Sequence, residues 1–177
     1  MEPKSLIRMG STFEQDWPGA KAQATECVLN LVRSGEWALD AVARLMKPYG
    51  LTPAEAQLLS IVHGAGEPLP HRVIADRLVV SRGMVTWLVN GLEQRGLVRR
   101  IAKPRDRRTV LVALTEAGHE LHAVIRPRIH QLDARVVGDL STEEQETLLR
   151  LLGSIQARLL TLSAQEERRL TEPEEPA

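Results

Sequence analysis

The spacing of apolar residues changes abruptly between positions 81 and 114, from a helical period to a strand period. The first part carries an apolar stripe on one helix face, Ser81 can cap its start, and Gly96 can end it in a left-handed conformation. The second part has two β-rich runs, 97–101 and 109–114, around a polar, basic tip. The stripe consists of Val85, Leu88 and Leu92. The sequence therefore predicts a capped helix followed at once by a two-stranded antiparallel ribbon.

Helical spacing dominates the rest of the chain. Because aromatic residues make up only 3% of it, Leu, Val, Ile and Ala must fill the core, which favours helices. A short helix, a tight turn, a capped helix and a basic ribbon stand in the order of a winged helix-turn-helix, so we expect a mainly α fold with a small β-wing. The other predicted helices run from about Ala20 to Met46, from Thr52 to about His63, through Val73 to Leu78, from Thr115 through Val136, and from Ser141 through Leu162.

Basic residues are concentrated in the same part of the chain. The whole protein has 23 basic and 23 acidic residues, which gives a formal net charge of zero. The segment from His71 to Val110 holds ten basic and three acidic residues, a net charge of +7, and the remainder carries −7. Such a basic island is expected of a surface that faces the phosphates of double-stranded DNA, with an ordinary solvated charged face as the alternative.

The capped helix should present a polar face to the DNA major groove. Arg82 can fork onto guanine and Asn90 can bond adenine, while the Thr86 methyl and the Trp87 ring can touch thymine methyls. Ser81, at the helix start, suits a phosphate. Ordinary solvated surface is the alternative, or for Trp87 packing against a neighbouring helix. The predicted contacts on this helix are Ser81, Arg82, Gly83, Thr86, Trp87 and Asn90, and Glu93 lies on the same face.

The tip of the ribbon carries three arginines around one carboxylate. Arg105, Arg107 and Arg108 surround Asp106, and an aspartate in such a cluster orients guanidinium groups rather than performing acid–base chemistry. A wing-tip arginine can enter the narrow, electronegative minor groove. We therefore predict that these four residues contact DNA, with a solvated loop as the alternative.

These motifs together resemble the MarR family of bacterial regulators. The resemblance is carried by SRGMVTWLVNGLEQRG at residues 81–96 and by the closing pattern D-x-R-x5-L-T-x2-G, which is matched at every fixed position. Those positions are Asp106, Arg108, Leu114, Thr115 and Gly118. The order of elements resembles the family from about residue 20 to residue 164.

The resemblance implies a winged lobe joined to a helical dimerisation region, in a homodimer that reads a palindromic operator. It also implies a repressor that is released by a small aromatic or phenolic ligand. Matched residue by residue, Arg108 would be the minor-groove arginine and Asp106 its orienting partner, with Arg107 beside them. The family commonly has a polar residue where this chain has Trp87, so the chain departs from the pattern there.

The resemblance further implies an effector pocket between the helical region and the winged lobe. A cation, a ring and a polar contact could be supplied there by Arg33, Trp37 and His63, with plain packing or surface placement as the alternative. Two other kinds of repressor stay open, one that senses oxidation at Cys27 and one that senses zinc at His119 and His122. For Cys27 the alternative is a buried, inert thiol. Because two histidines lack a clear third and fourth ligand, we predict no metal site, and we predict no cofactor.

Nothing in the sequence indicates catalysis. The chain has no adjacent nucleophile and base, no glycine-rich phosphate loop and no paired carboxylates in an apolar setting. An interaction module that lost DNA binding is a further alternative, which the +7 segment argues against. No apolar run approaches the roughly 18 residues that cross a bilayer, and no secretory signal is recognisable, so we expect a cytoplasmic protein.

The chain is expected to form one main domain with two terminal tails. The predicted parts are a flexible or loosely docked arm (1–18), a MarR-like domain (19–164) and an acidic tail (165–177). Within the domain, residues 51–115 would form the DNA-binding lobe, and residues 19–50 and 116–164 would form the dimerisation helices.

Overall fold

The computed structural model describes residues 6–103 and 106–171, with the side chains of residues 6–102 and 110–163. Within those ranges the chain is mainly helical with a small antiparallel sheet, as the sequence predicts. The helices are α1 (Phe13–Asp16), α2 (Ala22–Met46), α3 (Pro53–Ala65), α4 (His71–Leu78), α5 (Arg82–Gln94), α6 (Glu116–Val136) and α7 (Thr142–Thr171). The strands are β1 (Leu69–Pro70), β2 (Val98–Lys103) and β3 (Asp106–Leu114).

Capping side chains set the starts of α3 and α5. The Thr52 hydroxyl accepts a hydrogen bond from the Glu55 amide at 3.2 Å, and the Glu55 carboxylate accepts one from the Thr52 amide at 2.8 Å. These reciprocal bonds form a capping box. Ser81 Oγ accepts from the Met84 amide at 3.2 Å and caps α5 in the same way. Both predicted helix starts are therefore confirmed.

The sheet has the strand order β1-β3-β2. Strands β2 and β3 pair antiparallel, with Val98 opposite Leu114, so the predicted ribbon is present. Strand β1 is an addition that the sequence analysis missed, and its residue Leu69 pairs with Val112 on the other side of β3. A two-residue strand is too short to produce a periodic pattern in the sequence, and here it follows Pro68 and includes Pro70.

The core of the winged lobe is built from α3, α4, α5, the sheet and Ile125 of α6. All three residues of the predicted α5 stripe are at most 1% exposed. Helix α2 reaches this core only at its C-terminal end, where Met46 is buried and Val42 and Leu45 pack against it. Val28, which the helical period assigns to the same stripe, is 58% exposed because it lies more than three turns from that end.

The Leu114–Gly118 motif joins the start of α6 to the end of α5. The Thr115 amide donates to the Leu97 carbonyl at 3.1 Å, and its hydroxyl donates to the Gly96 carbonyl at 2.5 Å. The same hydroxyl accepts from the Gly118 amide at 3.1 Å. A Cβ at position 118 would lie 2.0 Å from the Leu97 carbonyl oxygen. Glycine is therefore required there by the close approach of two backbone segments.

We predict that Gly118→Ala lowers the free energy of unfolding by at least about 2 kcal/mol, because the added methyl must push the two segments apart. Gly64→Ala is the matched control, since a Cβ at that position in α3 meets nothing within 4 Å. Gly64→Ala should leave the free energy of unfolding unchanged or raise it by up to about 1 kcal/mol. Chemical denaturation measures both variants, and equal effects at the two positions would contradict the packing argument.

Three histidines stack where α3 faces α6. The His63 and His122 rings lie 4.0 Å apart and nearly parallel, and the His119 ring meets His63 edge-on at 5.5 Å. His122 is 5% exposed, and no described residue hydrogen-bonds its Nε2 atom. Burial, followed by the charges of His63, Arg126, His119 and His130, lowers the pKa of His122 to about 4. The folded protein therefore resists protonation of this ring.

This lowered pKa predicts that the protein loses stability as the pH falls below about 6.5. In that range the unfolded chain binds a proton at His122 that the folded chain rejects until about pH 4, so acid favours unfolding. The loss between pH 7 and pH 5 should be about 1–2 kcal/mol. His122→Phe keeps a stacking ring that cannot titrate and should lose less stability over the same range. Denaturation at both pH values measures this, and identical losses in the two proteins would contradict it.

The N-terminal arm lies on the first half of α2. The Ile7 amide donates to Asn30 Oδ1 at 2.9 Å, and Asn30 Nδ2 returns a bond to the Ile7 carbonyl at 3.0 Å. The Met9 amide donates to the Glu26 carboxylate at 2.8 Å, and this bond, with one from Arg8, lowers the pKa of Glu26. Backbone contacts of this kind hold residues 7–9 in register with α2.

The chain forms two compact units, one ending at Leu132 and the other beginning at Asp133. The division falls inside α6, so the predicted segment 116–164 belongs to both units. The domain boundaries given by the sequence therefore stay predictions. Over residues 6–103 and 106–171, no helix is both long and apolar enough to traverse a membrane.

Candidate nucleic-acid interface

Helix α5 buries its apolar stripe and exposes the opposite face. The Trp87 side chain is 63% exposed and thus does not pack on a neighbouring helix within the described chain. The structure places all six predicted contact residues of this helix, including its cap, on the exposed face. They are Ser81, Arg82, Gly83, Thr86, Trp87 and Asn90.

The first turn of α5 keeps free donors for an anion. Because Ser81 Oγ accepts its bond from the Met84 amide, the hydroxyl hydrogen is available to donate. The unpaired amides of the first turn and the positive end of the helix dipole also favour an anion at this position. A Cβ at Gly83 would meet only Ser81 Oγ, at an ordinary 3.8 Å. The protein's own packing does not require this glycine, which fits a close approach from outside.

Thr86 already uses its hydroxyl within the protein. It donates to the Arg82 carbonyl at 3.0 Å and lies 3.4 Å from His71 Nδ1 at the start of α4. Burial, and then the charge of Arg100, lowers the pKa of His71. With its hydroxyl engaged, Thr86 keeps its methyl group for the contact to a thymine methyl, which stays a prediction.

A polar network that the sequence analysis missed joins α5 to strand β2. The Arg100 guanidinium donates one hydrogen bond to the Glu93 carboxylate and another to Asn90 Oδ1. The Arg100 amide also donates to Glu93, at 3.2 Å. Asn90 is therefore not a free side chain. The sequence carries one signal for this network. Glu93 and Arg100 have opposite charges and lie seven residues apart, on either side of Gly96.

Arg95 fixes the C-terminal end of α5 to the chain that joins α2 and α3. Its guanidinium donates to the Tyr49 and Gly50 carbonyls, each at 2.9 Å, and lies 3.7 Å from the Glu55 carboxylate. Two carbonyls and a carboxylate match the directions of one guanidinium fork. This bridge gives the exposed helix face a defined position relative to the end of α2.

Three of the predicted wing-tip contacts lie at the start of β3. Asp106, Arg107 and Arg108 are backbone positions at the start of β3, with Asp106 opposite Lys103. The pairing shifts register between Ala102 and Lys103. The predicted contact Arg105 lies outside the described residues. The arginine and aspartate roles at the tip remain predictions.

The predicted effector residues do not lie together in one group. Arg33 and Trp37 contact each other on α2, with the guanidinium carbon 5.1 Å from the ring centre. His63 belongs to the stack with α6, and with His119 and Arg99 it lines a cavity of about 210 Å³.

The two alternative sensing modes stay predictions. Cys27 is an exposed thiol on α2, so the alternative of a buried, inert thiol is wrong. His119 and His122 share His63 as a neighbour, yet among the described side chains no cluster of three or more His, Cys, Asp or Glu could hold a metal. The His122 ring is stacked and buried rather than directed at a shared coordination point.

Similarity to known proteins agrees with this geometry. A sequence model described as the MarR family matches residues 49–109, from the end of α2 into β3. The chain is 34% identical over 135 residues to YkoM of Bacillus subtilis (strain 168), an uncharacterized HTH-type transcriptional regulator, over 73% of this chain and 86% of the relative. The chain belongs to the MarR family. It is a transcriptional regulator and not an enzyme.

The fold of this chain is also similar to solved structures of other regulators. CouR from Rhodococcus jostii RHA1, in a crystal structure bound to p-coumaroyl-CoA, is 28% identical with a TM-score of 0.69, over 77% of this chain and 95% of CouR. AbsC, a MarR family transcriptional regulator from Streptomyces coelicolor, shares the fold with a TM-score of 0.73 at 22% identity, over 82% of this chain and 98% of AbsC. This chain thus shares the winged-helix fold of MarR-family regulators.

Proposed function

We propose that this regulator is a homodimeric repressor that binds a palindromic operator and releases it when a small aromatic or phenolic ligand binds. The observation that carries the proposal is the exposed polar face of α5 beside the basic wing, in a segment with a net charge of +7. Such a surface suits phosphate contacts along one duplex groove and base contacts within it. The regulator would act in the cytoplasm, where its operator lies.

Dimerisation is supported by apolar residues that each unit leaves exposed. Helix α7 shows five large apolar side chains at spacings of three and four residues, the pattern of a helix–helix seam. They are Leu148, Leu151, Ile155, Leu159 and Leu162, each 38–56% exposed. In the other unit, Val28 and Val32 of α2 are more than half exposed. Because exposed apolar stripes of this length are unfavourable in water, a second copy is their natural cover.

A ligand site is supported by a cavity of about 190 Å³ between α2, α3 and α6. Leu39, Val42 and Ile129 give it apolar walls, and Ser60 and Arg126 add polar groups. A cavity of roughly 150 Å³ admits a benzene ring, so this one suits a single substituted ring. Arg126 provides a partner for a carboxylate or phenolate. CouR, with its bound p-coumaroyl-CoA, shows that a similar regulator accepts a phenolic ligand. Arg33, Trp37 and His63 do not line this cavity, so their role would be secondary.

Operator binding predicts a salt-dependent complex of two protomers on the DNA upstream of the gene. Arg108→Ala should weaken it about tenfold, since a groove or phosphate arginine contributes about 1–3 kcal/mol. The matched control is Arg44→Ala, which removes an exposed arginine paired with Asp40 on α2 and should leave affinity unchanged. Gel shifts at several salt concentrations measure both. Absence of saturable binding by the unsubstituted chain would overturn the proposed function, and one protomer per site would overturn the dimer.

Ligand release predicts that salicylate or p-coumarate frees the operator at concentrations that also raise the melting temperature. Arg126→Gln should raise the concentration needed for half-release about tenfold by removing the ligand's charge partner. Arg128→Gln, on the same helix but over the Tyr49 ring, is the control and should leave it unchanged. Equal effects of the two substitutions would contradict the assignment of the cavity.

A further inference from the structure

The orientation of the Asn90 amide follows from the chemistry of its partner. A guanidinium has five donors and no acceptor, so the Asn90 atom that faces Arg100 is the carbonyl oxygen Oδ1. The Nδ2 amino group is then directed away from Arg100. Since Asn90 is exposed on the DNA-facing side of α5, what it offers to a base is a pair of N–H donors.

Arg100 is itself held in place from two sides. Glu93 accepts from both the amide and the guanidinium of Arg100, and the two side chains are only 36% and 30% exposed. The carboxylate balances the arginine charge at this site. A guanidinium neutralised and anchored in this way is ill suited to hold a backbone phosphate as well. It can instead serve to fix the Asn90 amide.

We propose that Arg100 is a positioning residue for base recognition, which holds the Asn90 amide with its oxygen toward β2 and its amino group toward the base, and so directs it to guanine rather than adenine. Adenine recognition by asparagine needs the amide oxygen to accept from N6 while Nδ2 donates to N7. Oδ1 keeps a second lone pair, but the bond from Arg100 turns the oxygen toward β2, so Nδ2 is the amide group that Asn90 presents on the exposed face of α5. Guanine presents two acceptors, O6 and N7, and accepts from Nδ2 without needing the amide oxygen. This inference rests on the proposed operator binding and replaces the adenine contact that the sequence alone predicts.

The test measures base preference with the full-length protein. Operators are selected from a randomised DNA library by the unsubstituted chain and by Asn90→Ala, and the base pair whose preference disappears in the variant is the Asn90 position. The unsubstituted chain should prefer guanine over adenine there by about tenfold, the discrimination of one good base contact. A preference for adenine, or no affected position, would overturn the inference.

Arg100→Met removes the donors and keeps an unbranched side chain of similar reach. It should free Oδ1 and shift the preference at the Asn90 position from guanine to adenine, with little change at other positions. The slope of log binding constant against log salt concentration should also stay the same. Loss of a phosphate contact would instead reduce the magnitude of that slope by nearly one. An unchanged base preference with a lower slope would make Arg100 a phosphate contact and overturn the inference.

Asn90→Asp supplies a second, independent variant at an exposed position. Its carboxylate can keep the bond from Arg100 with one oxygen and present the other, an acceptor, to the DNA. The preferred base at this position should become cytosine, whose N4 group donates. Thermal melting confirms that each variant is folded. If the unsubstituted chain binds no operator at all, the proposed function fails; if it binds and these preferences do not change as stated, only the role of Arg100 fails.

Discussion

The hydrogen bonds around Gly96 and Leu97 connect the three parts of the winged lobe. On one side, the Gly96 and Leu97 amides donate to the Glu93 and Leu92 carbonyls at 2.9 Å and close the end of α5. On the other side, their carbonyls accept both hydrogen bonds from Thr115. Two peptide units thus end α5, start the wing and anchor α6, and the absence of a side chain at position 118 lets them do so.

This junction explains why two polar bridges can determine what α5 presents on its exposed face. With the helix end fixed, Arg95 sets its position against Tyr49 and Gly50, and Arg100 reaches back from β2 to its third turn. Arg95 binds carbonyl groups of the segment between α2 and α3, and Arg100 of β2 binds side chains of α5. These acceptors balance the charge of each arginine and fix the position of its guanidinium. A wing attached to a loose helix end would leave the distance from Arg100 to Asn90 undefined.

The sequence predicts features that depend on local periodicity and misses those that depend on contacts between elements. The caps at Thr52 and Ser81 and the apolar stripe of α5 are local and were predicted correctly. Strand β1 arises only because β3 lies beside Leu69. Periodicity also does not show which part of a long helix reaches the core. Val28 fits the apolar stripe of α2, yet it lies far from the lobe core and is exposed. The Asn90 amide was assigned to adenine because an isolated exposed asparagine has both groups free, and its partner Arg100 lies on a different element.

The placement of the proposed ligand cavity follows from the same geometry. Helix α3 faces the lobe core with Leu58 and Leu59 and the cavity with Ser60, so a ligand there presses directly on the helix that supports α5. Helix α6 contributes Arg126 to the cavity and, about two turns earlier, Gly118 to the junction. A packed helix transmits a displacement at one turn to the next because its interior cannot be compressed. A ring wedged between α3 and α6 would therefore strain the Thr115–Leu97 bonds, and relief of that strain would move α5 and the wing together.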